Sequence, residues 1–307
     1  MLAIECKGLT KVYKTIGKGR GKSLDSLDLQ IQDGEVFGFL GRNGAGKTTC
    51  IKLICSLLRP TSGEAFLYGD AARSRVARGH FGYLPEQPYF YEYLTPRETI
   101  DFYGRMQQLS GAERARTWDH LSEVLDLRDI ASERIKGFSK GMRQRIGFAV
   151  ALVGDPRLLI LDEPMSGLDP IGRRNIRELI LRLRDEGKTL FFSSHVLGDV
   201  EQVCDRVGIL VQGQLKQQGR IDDLLQGQVN KVELSVAGLS KELLAQLKND
   251  AVHHRHLEGV DLFQFADLDA GNRALAAAQS NGAVVHQFTP IKSHLEDYFM
   301  AIQDATS

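Results

Sequence analysis

The chain has 307 residues, 42% hydrophobic and 25% charged, and its 39 Lys and Arg balance 39 Asp and Glu. That composition fits an ordinary globular protein of about two domains and excludes collagen-like and disordered classes. Zero net charge argues against a generally basic nucleic-acid binder. No run approaches the ~18 apolar residues of a membrane-spanning helix, and the charged start Met1–Lys7 is not that of a secretion signal.

In chain order, Leu9-Thr-Lys-Val-Tyr13 precedes a basic, glycine-rich stretch, Gly17–Lys22, which reads as a solvated hairpin loop. Glu35–Leu40 is a short apolar run entering a glycine-rich turn, so it predicts a buried strand. Thr48–Leu58 follows with helical spacing and stops at Arg59-Pro60. Pro88–Leu94 packs four aromatics into a loop-like stretch. Charged helical segments, Glu113–Leu127 and Arg173–Arg184, alternate with apolar strands at Leu158–Leu161 and Thr189–Ser193. Val207–Val211 followed by Gln-Gly-Gln reads as a strand entering a hairpin. Strands alternating with helices predict a largely parallel sheet covered by helices.

The composition shifts near Gln226–Asn230, a short polar connector. Residues 230–307 carry a net charge of −4 and five of the eight histidines, leaving +4 on the rest. This later segment repeats strand then helix: Val232–Val236, Lys241–Lys248, Val260–Phe265, Arg273–Gln279, Val284–Phe288 and His294–Ile302. It predicts a small α+β domain without nameable chemistry. Its His253-His-Arg-His256 run offers imidazoles to a metal, but a short polar stretch with an arginine inside it reads as a solvated turn. Cys6, Cys50, Cys55 and Cys204 fit no zinc spacing and read as small buried hydrophobes.

Two segments carry chemistry. Gly41-Arg-Asn-Gly-Ala-Gly-Lys-Thr48 fits G-x-x-x-x-G-K-[ST] between a predicted strand and a predicted helix. Glycines let successive N–H groups curl inward on an anion, and the helix adds its free N–H groups. Lys47 supplies charge for the β- and γ-phosphates of a nucleotide, and the Thr48 hydroxyl is a hard oxygen ligand for Mg²⁺. Leu158-Leu-Ile-Leu-Asp-Glu-Pro164 sets two carboxylates at the C-terminal end of a buried strand, where α/β sheets bind ligands. Asp162 suits Mg²⁺, and Glu163 suits proton acceptance from an attacking water.

With these motifs in this order, residues 3–225 resemble the ATP-binding subunits of ABC transporters. Phe138-Ser-Lys-Gly-Met142 resembles the signature, usually Leu-Ser-Gly-Gly-Gln, matching at Ser139 and Gly141 and lying 23 residues ahead of Asp162. Ser166-Gly-Leu-Asp-Pro170 resembles the D-loop, His195 the switch histidine, and Tyr13 the aromatic that stacks on adenine. Gly82-Tyr-Leu-Pro-Glu-Gln87 resembles the Q-loop with Glu86 where glutamine is usual. A one-residue shift puts Gln87 there, and Gln87 is taken as the Q-loop residue with Glu86 left open.

The resemblance implies an α/β P-loop NTPase fold: a mixed, largely parallel sheet in residues 1–228, a helical subdomain at about 88–155, and the α+β domain at 229–307. It implies ATP and Mg²⁺ as cofactors. The nucleotide would contact Tyr13, Gly41, Asn43, Gly44, Ala45, Gly46, Lys47, Thr48, Thr49, Gln87, Ser139, Gly141 and Asp169. Mg²⁺ would meet Thr48, Asp162 and Gln87. Glu163 would be the general base, and His195 would bond the γ-phosphate. The resemblance further implies a head-to-tail homodimer on the cytoplasmic face of the cell membrane, driving a separate permease onto which Tyr89–Tyr93 docks. The closing Leu295–Phe299 is similar to that of an exporter-like branch handling drugs, sodium, polysaccharide or copper-site assembly. The alternative, a soluble ABC-type ATPase acting on ribosomes or DNA, is disfavoured by the single motif set and the absence of sustained heptads.

Overall fold

The structure, a computed structural model, describes residues 1–15, 19–226, 231–291 and 295–304. Two compact units emerge, Met1–Ile221 and Asp222–Ser307. Residues 16–18 of the expected basic loop and 227–230 of the expected connector lie outside the described residues. Among the described residues no helix is long and apolar enough to cross a membrane.

The first unit begins β1 (Leu2–Thr15), β2 (Gly19–Gln32), β3 (Val36–Leu40), α1 (Lys47–Ile54), β4 (Ser62–Leu67), β5 (Asp70–Ala71), α2 (Arg75–Arg78) and β6 (Phe81–Leu84). It continues α3 (Pro96–Met106), α4 (Gly111–Val124), α5 (Lys140–Leu152), β7 (Leu158–Leu161), α6 (Pro170–Asp185), β8 (Thr189–Ser194), α7 (Leu197–Val203), β9 (Arg206–Val211) and β10 (Gln214–Arg220); α8 (Ile221–Gln226) spans the change of unit. The central sheet has the order β10-β9-β3-β8-β7-β6. The pairings from β9 through β6 are parallel, and β10 returns antiparallel at the edge. β3, β7 and β8 are buried at every residue, as near-continuous apolar runs inside a parallel sheet must be. Phe39 and Phe191 meet between β3 and β8 with ring centroids 5.6 Å apart. Gln212 and Gly213, both at positive φ, make the tight β9–β10 turn whose twist suits a hairpin.

A second, antiparallel sheet, β2-β1-β4-β5, was not expected. Its buried Ile4, Cys6, Leu9, Leu27, Leu29 and Ile31 share one core with Cys50, Ile51 and Ile54 of α1 and Phe39 of β3. Cys6, Cys50 and Cys55 are the buried hydrophobes expected, while Cys204 is half-buried; burial pushes the Cys6 thiol up to about 12 and those of Cys50, Cys55 and Cys204 well above their ordinary value. α1 stops short of the expected Leu58. Ser56 turns left-handed (φ 58), its N–H donating to Leu53 O at 3.0 Å and that of Leu57 to Lys52 O at 2.8 Å, which closes the helix end. Between β6 and β7 lie the expected helices. α3 and α4 each begin with a reciprocal capping box, Thr95/Glu98 and Ser110/Glu113.

The second unit runs β11 (Lys231–Ala237), α9 (Lys241–Asp250), β12 (His253–Leu257), β13 (Val260–Phe265), α10 (Leu268–Ser280), β14 (Val284–Ile291) and α11 (Leu295–Asp304). The antiparallel order β12-β13-β11-β14 is that of a ferredoxin-like split βαβ. Its core is Leu234, Val236, Phe263 and Phe265 under Leu243, Leu247, Ala274 and Ala278. The expected solvated turn at His253–His256 is instead the edge strand β12. Strand alternation turns His254 and His256 to one side, where Nε2 and Nδ1 lie 2.7 and 3.0 Å from Asp261 Oδ1. Among the described residues no three His, Cys, Asp or Glu side chains are placed to hold a metal.

Candidate active site

β3 and β8 end level with each other, two residues beyond the level ends of β6 and β7, and the site forms at this C-terminal edge. Leu40 pairs with Ser194, Phe192 with Leu161, and Leu161 with Leu84. β3 runs into the turn Gly41–Gly46. Gly46 adopts a left-handed conformation (φ 110), and a Cβ there would strike the Ser23 carbonyl, so only glycine fits. No side chain caps α1, whose first N–H groups stay free for an anion. Arg42, Asn43, Gly44, Gly46, Lys47, Thr48 and Thr49 line a cleft of about 490 Å³ with Ser23, Glu86, Glu163, Ser166 and His195.

Lys47 is buried. Its Nζ donates to Gly41 O at 2.6 Å and lies 3.1 Å from Glu163 Oε1. Glu163 sits in the left-handed region (φ 49), a conformation that costs a side-chain-bearing residue about 1–3 kcal/mol and so needs support from its surroundings. Ser193 supplies it. The Glu163 N–H donates to Ser193 Oγ at 2.9 Å, and that hydroxyl donates to Asp162 Oδ1 at 2.7 Å. Thr48 Oγ1 donates to the same Asp162 oxygen at 3.2 Å. His195 Nδ1 lies 2.8 Å from Glu163 Oε2. Glu163 Oε1 is buried against the Lys47 ammonium as an ion pair and makes no hydrogen bond.

Most expected residues meet here: the phosphate-loop set, Asp162, Glu163 and His195. Ala45 packs into the core beneath, and Gly41 contributes its carbonyl to Lys47. Gln87 is not brought in. β6 ends at Leu84 opposite Leu161, and Leu84 O accepts the Asp162 N–H at 2.8 Å, so Glu86 lies level with Glu163, each two residues past its strand. Glu86 is among the residues that line the cleft, and Gln87 is not. Thr48, Asp162 and Glu86 make a set of hard oxygen donors of the kind a small divalent cation takes.

Tyr13 is exposed on β1 outside the cleft lining. It pairs with Gly21, two residues from Ser23, and Lys11 Nζ sits 5.3 Å from its ring centroid. Ser23 was missed. It is the extra residue of a bulge between the Lys11–Leu24 and Val12–Lys22 pairs, and its hydroxyl donates to Thr49 Oγ1 at 2.9 Å. Ser193 was missed as well, although it directly precedes the Ser194-His195 pair.

Ser139, Gly141 and Asp169 are elsewhere, in a second cleft with Lys140, Met142, Arg145, Gly167 and Leu168. Ser139 caps α5 by accepting the Met142 N–H at 3.3 Å, and Asp169 caps α6 by accepting the Gly172 N–H at 2.7 Å. Buried Gln144 ties the two halves together. Its Nε2 donates to Pro164 O at 2.8 Å, linking α5 to the segment carrying Glu163.

The family model described as ABC transporter matches residues 24–166. An uncharacterized ABC transporter ATP-binding protein of Synechocystis sp. is 37% identical over 97% of this chain and 83% of its own. The bacitracin transport ATP-binding protein BcrA of Bacillus licheniformis is 34% identical over 97% and 96%. Among solved structures, an ATP-binding subunit of an ABC transporter, 32% identical, aligns with a TM-score of 0.65 over 73% of this chain and 92% of its own. A dimeric bacterial ABC transporter cassette, 25% identical, does so at 0.65 over 71% and 98%. Phosphate loop, paired carboxylates and relatives agree: this chain belongs to the ABC transporter family, as an ATP-binding, ATP-hydrolysing subunit.

Proposed function

We propose that two copies of this chain pack head to tail, close on ATP and Mg²⁺, and by hydrolysing ATP drive a separate membrane-spanning permease from the cytoplasmic face of the cell membrane. The observation that carries this reading is the division of the expected nucleotide contacts between two clefts of one unit. The uncapped start of α1 and the Ser139–Gly141 start of α5 both suit phosphate, yet they line different clefts. A two-fold pair joins the first cleft of each copy to the second cleft of the other. A cassette among the structural relatives is dimeric, which supports the pairing of two copies.

Within each joined site, the N–H groups of 43–49 hold the phosphates and Lys47 exchanges Glu163 Oε1 for the γ-phosphate. Tyr13 offers its exposed ring to adenine, and Ser23 holds the Thr49 hydroxyl beside the phosphates. Thr48, Asp162 and Glu86 would hold Mg²⁺, which would supply positive charge to the phosphates. Glu163, freed from Lys47, accepts the proton of the attacking water. His195, bonded to Glu163 through Nδ1, keeps Nε2 for the γ-phosphate. Ser139 and Gly141 of the other copy donate to that phosphate, and their loss on hydrolysis opens the pair.

Tyr89 is 87% exposed, and Tyr91 and Tyr93 are exposed beside it, with the Tyr91 ring edge-on to Phe102 at 5.6 Å. A connected exposed aromatic patch favours docking on the permease over a core role.

The pairing is tested by mixing two full-length Glu163→Gln variants, one carrying Arg42→Cys and the other Lys140→Cys, with Mg-ATP and a short bifunctional maleimide. Cross-linked dimer in the mixture, and in neither variant alone, is expected. Equal cross-linking in each variant alone, or none in the mixture, contradicts the head-to-tail pair.

A further inference from the structure

Only Val196 separates His195 from α7, a helix of seven residues whose start no side chain caps. One of the buried residues of this helix is a carboxylate. Asp199 is 4% exposed, and its Oδ1 accepts from Arg177 Nη1 at 2.7 Å. Its Oδ2 is buried without a hydrogen bond and lies 3.8 Å from Arg173 Nη1. An unmet buried carboxylate oxygen is costly, and a guanidinium one short step away is the group to satisfy it.

Arg173 and Arg177 are four apart, on one face of α6. Arg173 is engaged at its other end: Nε donates to Leu168 O at 3.3 Å. The same side chain therefore touches the 166–169 loop and faces Asp199. That loop borders both clefts, since Ser166 lines the first and Gly167, Leu168 and Asp169 line the second. A contiguous path thus runs from the second cleft through Leu168, Arg173, Asp199 and α7 to His195, and from His195 to Glu163 Oε2 at 2.8 Å.

We propose that Asp199 is a positioning residue for His195, and that Arg173 reports to it whether the second cleft is filled. When a second copy of this chain docks there and draws the 166–169 loop, Arg173 comes within hydrogen-bond range of Asp199 Oδ2. The completed two-armed pairing fixes the start of α7 and holds His195 on Glu163 with Nε2 toward the γ-phosphate. Each subunit thereby couples the occupancy of its own signature cleft to the competence of its own nucleotide cleft. This inference rests on the reading of His195 and of the dimer given above.

The test compares steady-state Mg-ATP hydrolysis, and ATP binding, by the full chain and its Asp199→Asn, Arg173→Lys, His195→Ala and Asp199→Asn/His195→Ala variants. Asp199→Asn should lower kcat about tenfold with KM unchanged, and should add nothing in the His195→Ala background, because residues acting in series are not additive. Arg173→Lys keeps the charge on a partly exposed position but loses the planar fork, so it should lower kcat several-fold without weakening ATP binding. On a ¹³C-histidine-labelled Glu163→Gln chain, ATP should shift the His195 Cε1 resonance, and the shift should shrink with Asp199→Asn. Wild-type kcat in Asp199→Asn overturns the proposal. So does an equal fall with and without His195, the mark of a merely structural loss. Wild-type turnover by His195→Ala would instead overturn the reading of His195 on which the proposal stands.

Discussion

Glutamine in place of Glu163 keeps the shape and removes the charge. The Lys47 and Glu163 side chains are 6% and 9% exposed and 3.1 Å apart, so the ammonium loses a buried counter-ion. Breaking such a pair outright costs about 3–5 kcal/mol. The amide oxygen keeps a dipole beside Nζ and the Gly41 carbonyl at 2.6 Å still accepts from it, which leaves a net loss of about 2 kcal/mol. For a unit spanning Met1–Ile221, that lowers Tm by roughly 4–8 °C. Nucleotide phosphates give Lys47 a new partner, so Mg-ATP should close most of the gap and stabilise the variant more than the wild type. Phosphate release by the same samples should fall by about 10²–10⁴, the worth of a positioned general base. Thermal unfolding with and without Mg-ATP, alongside a phosphate-release assay, measures both. Equal Tm values without nucleotide would refute the buried Lys47–Glu163 pair, and hydrolysis within tenfold of wild type would mean that the base lies elsewhere.

Three further outcomes follow from particular contacts. Glu86→Gln should raise several-fold the Mg²⁺ concentration that half-saturates nucleotide binding, whereas Gln87→Ala should leave it unchanged; a fluorescent ATP analogue titrated with Mg²⁺ separates the two. Gly82→Ala should cost about 3 kcal/mol in urea unfolding, because the new Cβ collides with the Ala151 carbonyl and presses on Pro156; an unchanged midpoint would contradict that packing. Asp33 accepts from Arg157, Tyr68 and Thr189; burial pushes its pKa up, but these donors hold it below the ordinary carboxylate value. Its contribution is present at neutral pH and lost as pH falls through the lowered folded value. Asp33→Asn should therefore destabilise at pH 7 and flatten the loss of stability below about pH 4, and unchanged acid unfolding would contradict it.

The site was legible where chemistry is written in consecutive residues. Gly41–Thr48 and Leu158–Glu163 each combine an apolar strand with the turn that follows it, so spacing alone placed Lys47, Thr48, Asp162 and Glu163. The choice between Glu86 and Gln87 depends on which residue of β7 faces Leu84, a register no local pattern encodes. Ser23 reaches the cleft only through a bulge, and Ser193 reaches Asp162 and Glu163 only from a neighbouring strand, so both are invisible to spacing. The antiparallel sheet was missed because β1 and β2 mix lysine, glutamate and aspartate into their outer face and carry several register shifts. β12 was missed because an edge strand of histidine and arginine has almost no apolar face, and pairing with β13 decides its conformation. Without that strand, the ferredoxin-like order of the second unit could not be read, although its six other elements were in place.

The most direct test of ATP-driven pairing is the mass of the full-length Glu163→Gln chain by size-exclusion light scattering, with and without Mg-ATP. The expected result is a shift from 34.1 kDa to twice that mass with Mg-ATP, absent when Lys47→Ala is added. A mass unchanged by Mg-ATP, in a chain that binds the nucleotide, would contradict closure of two copies around ATP.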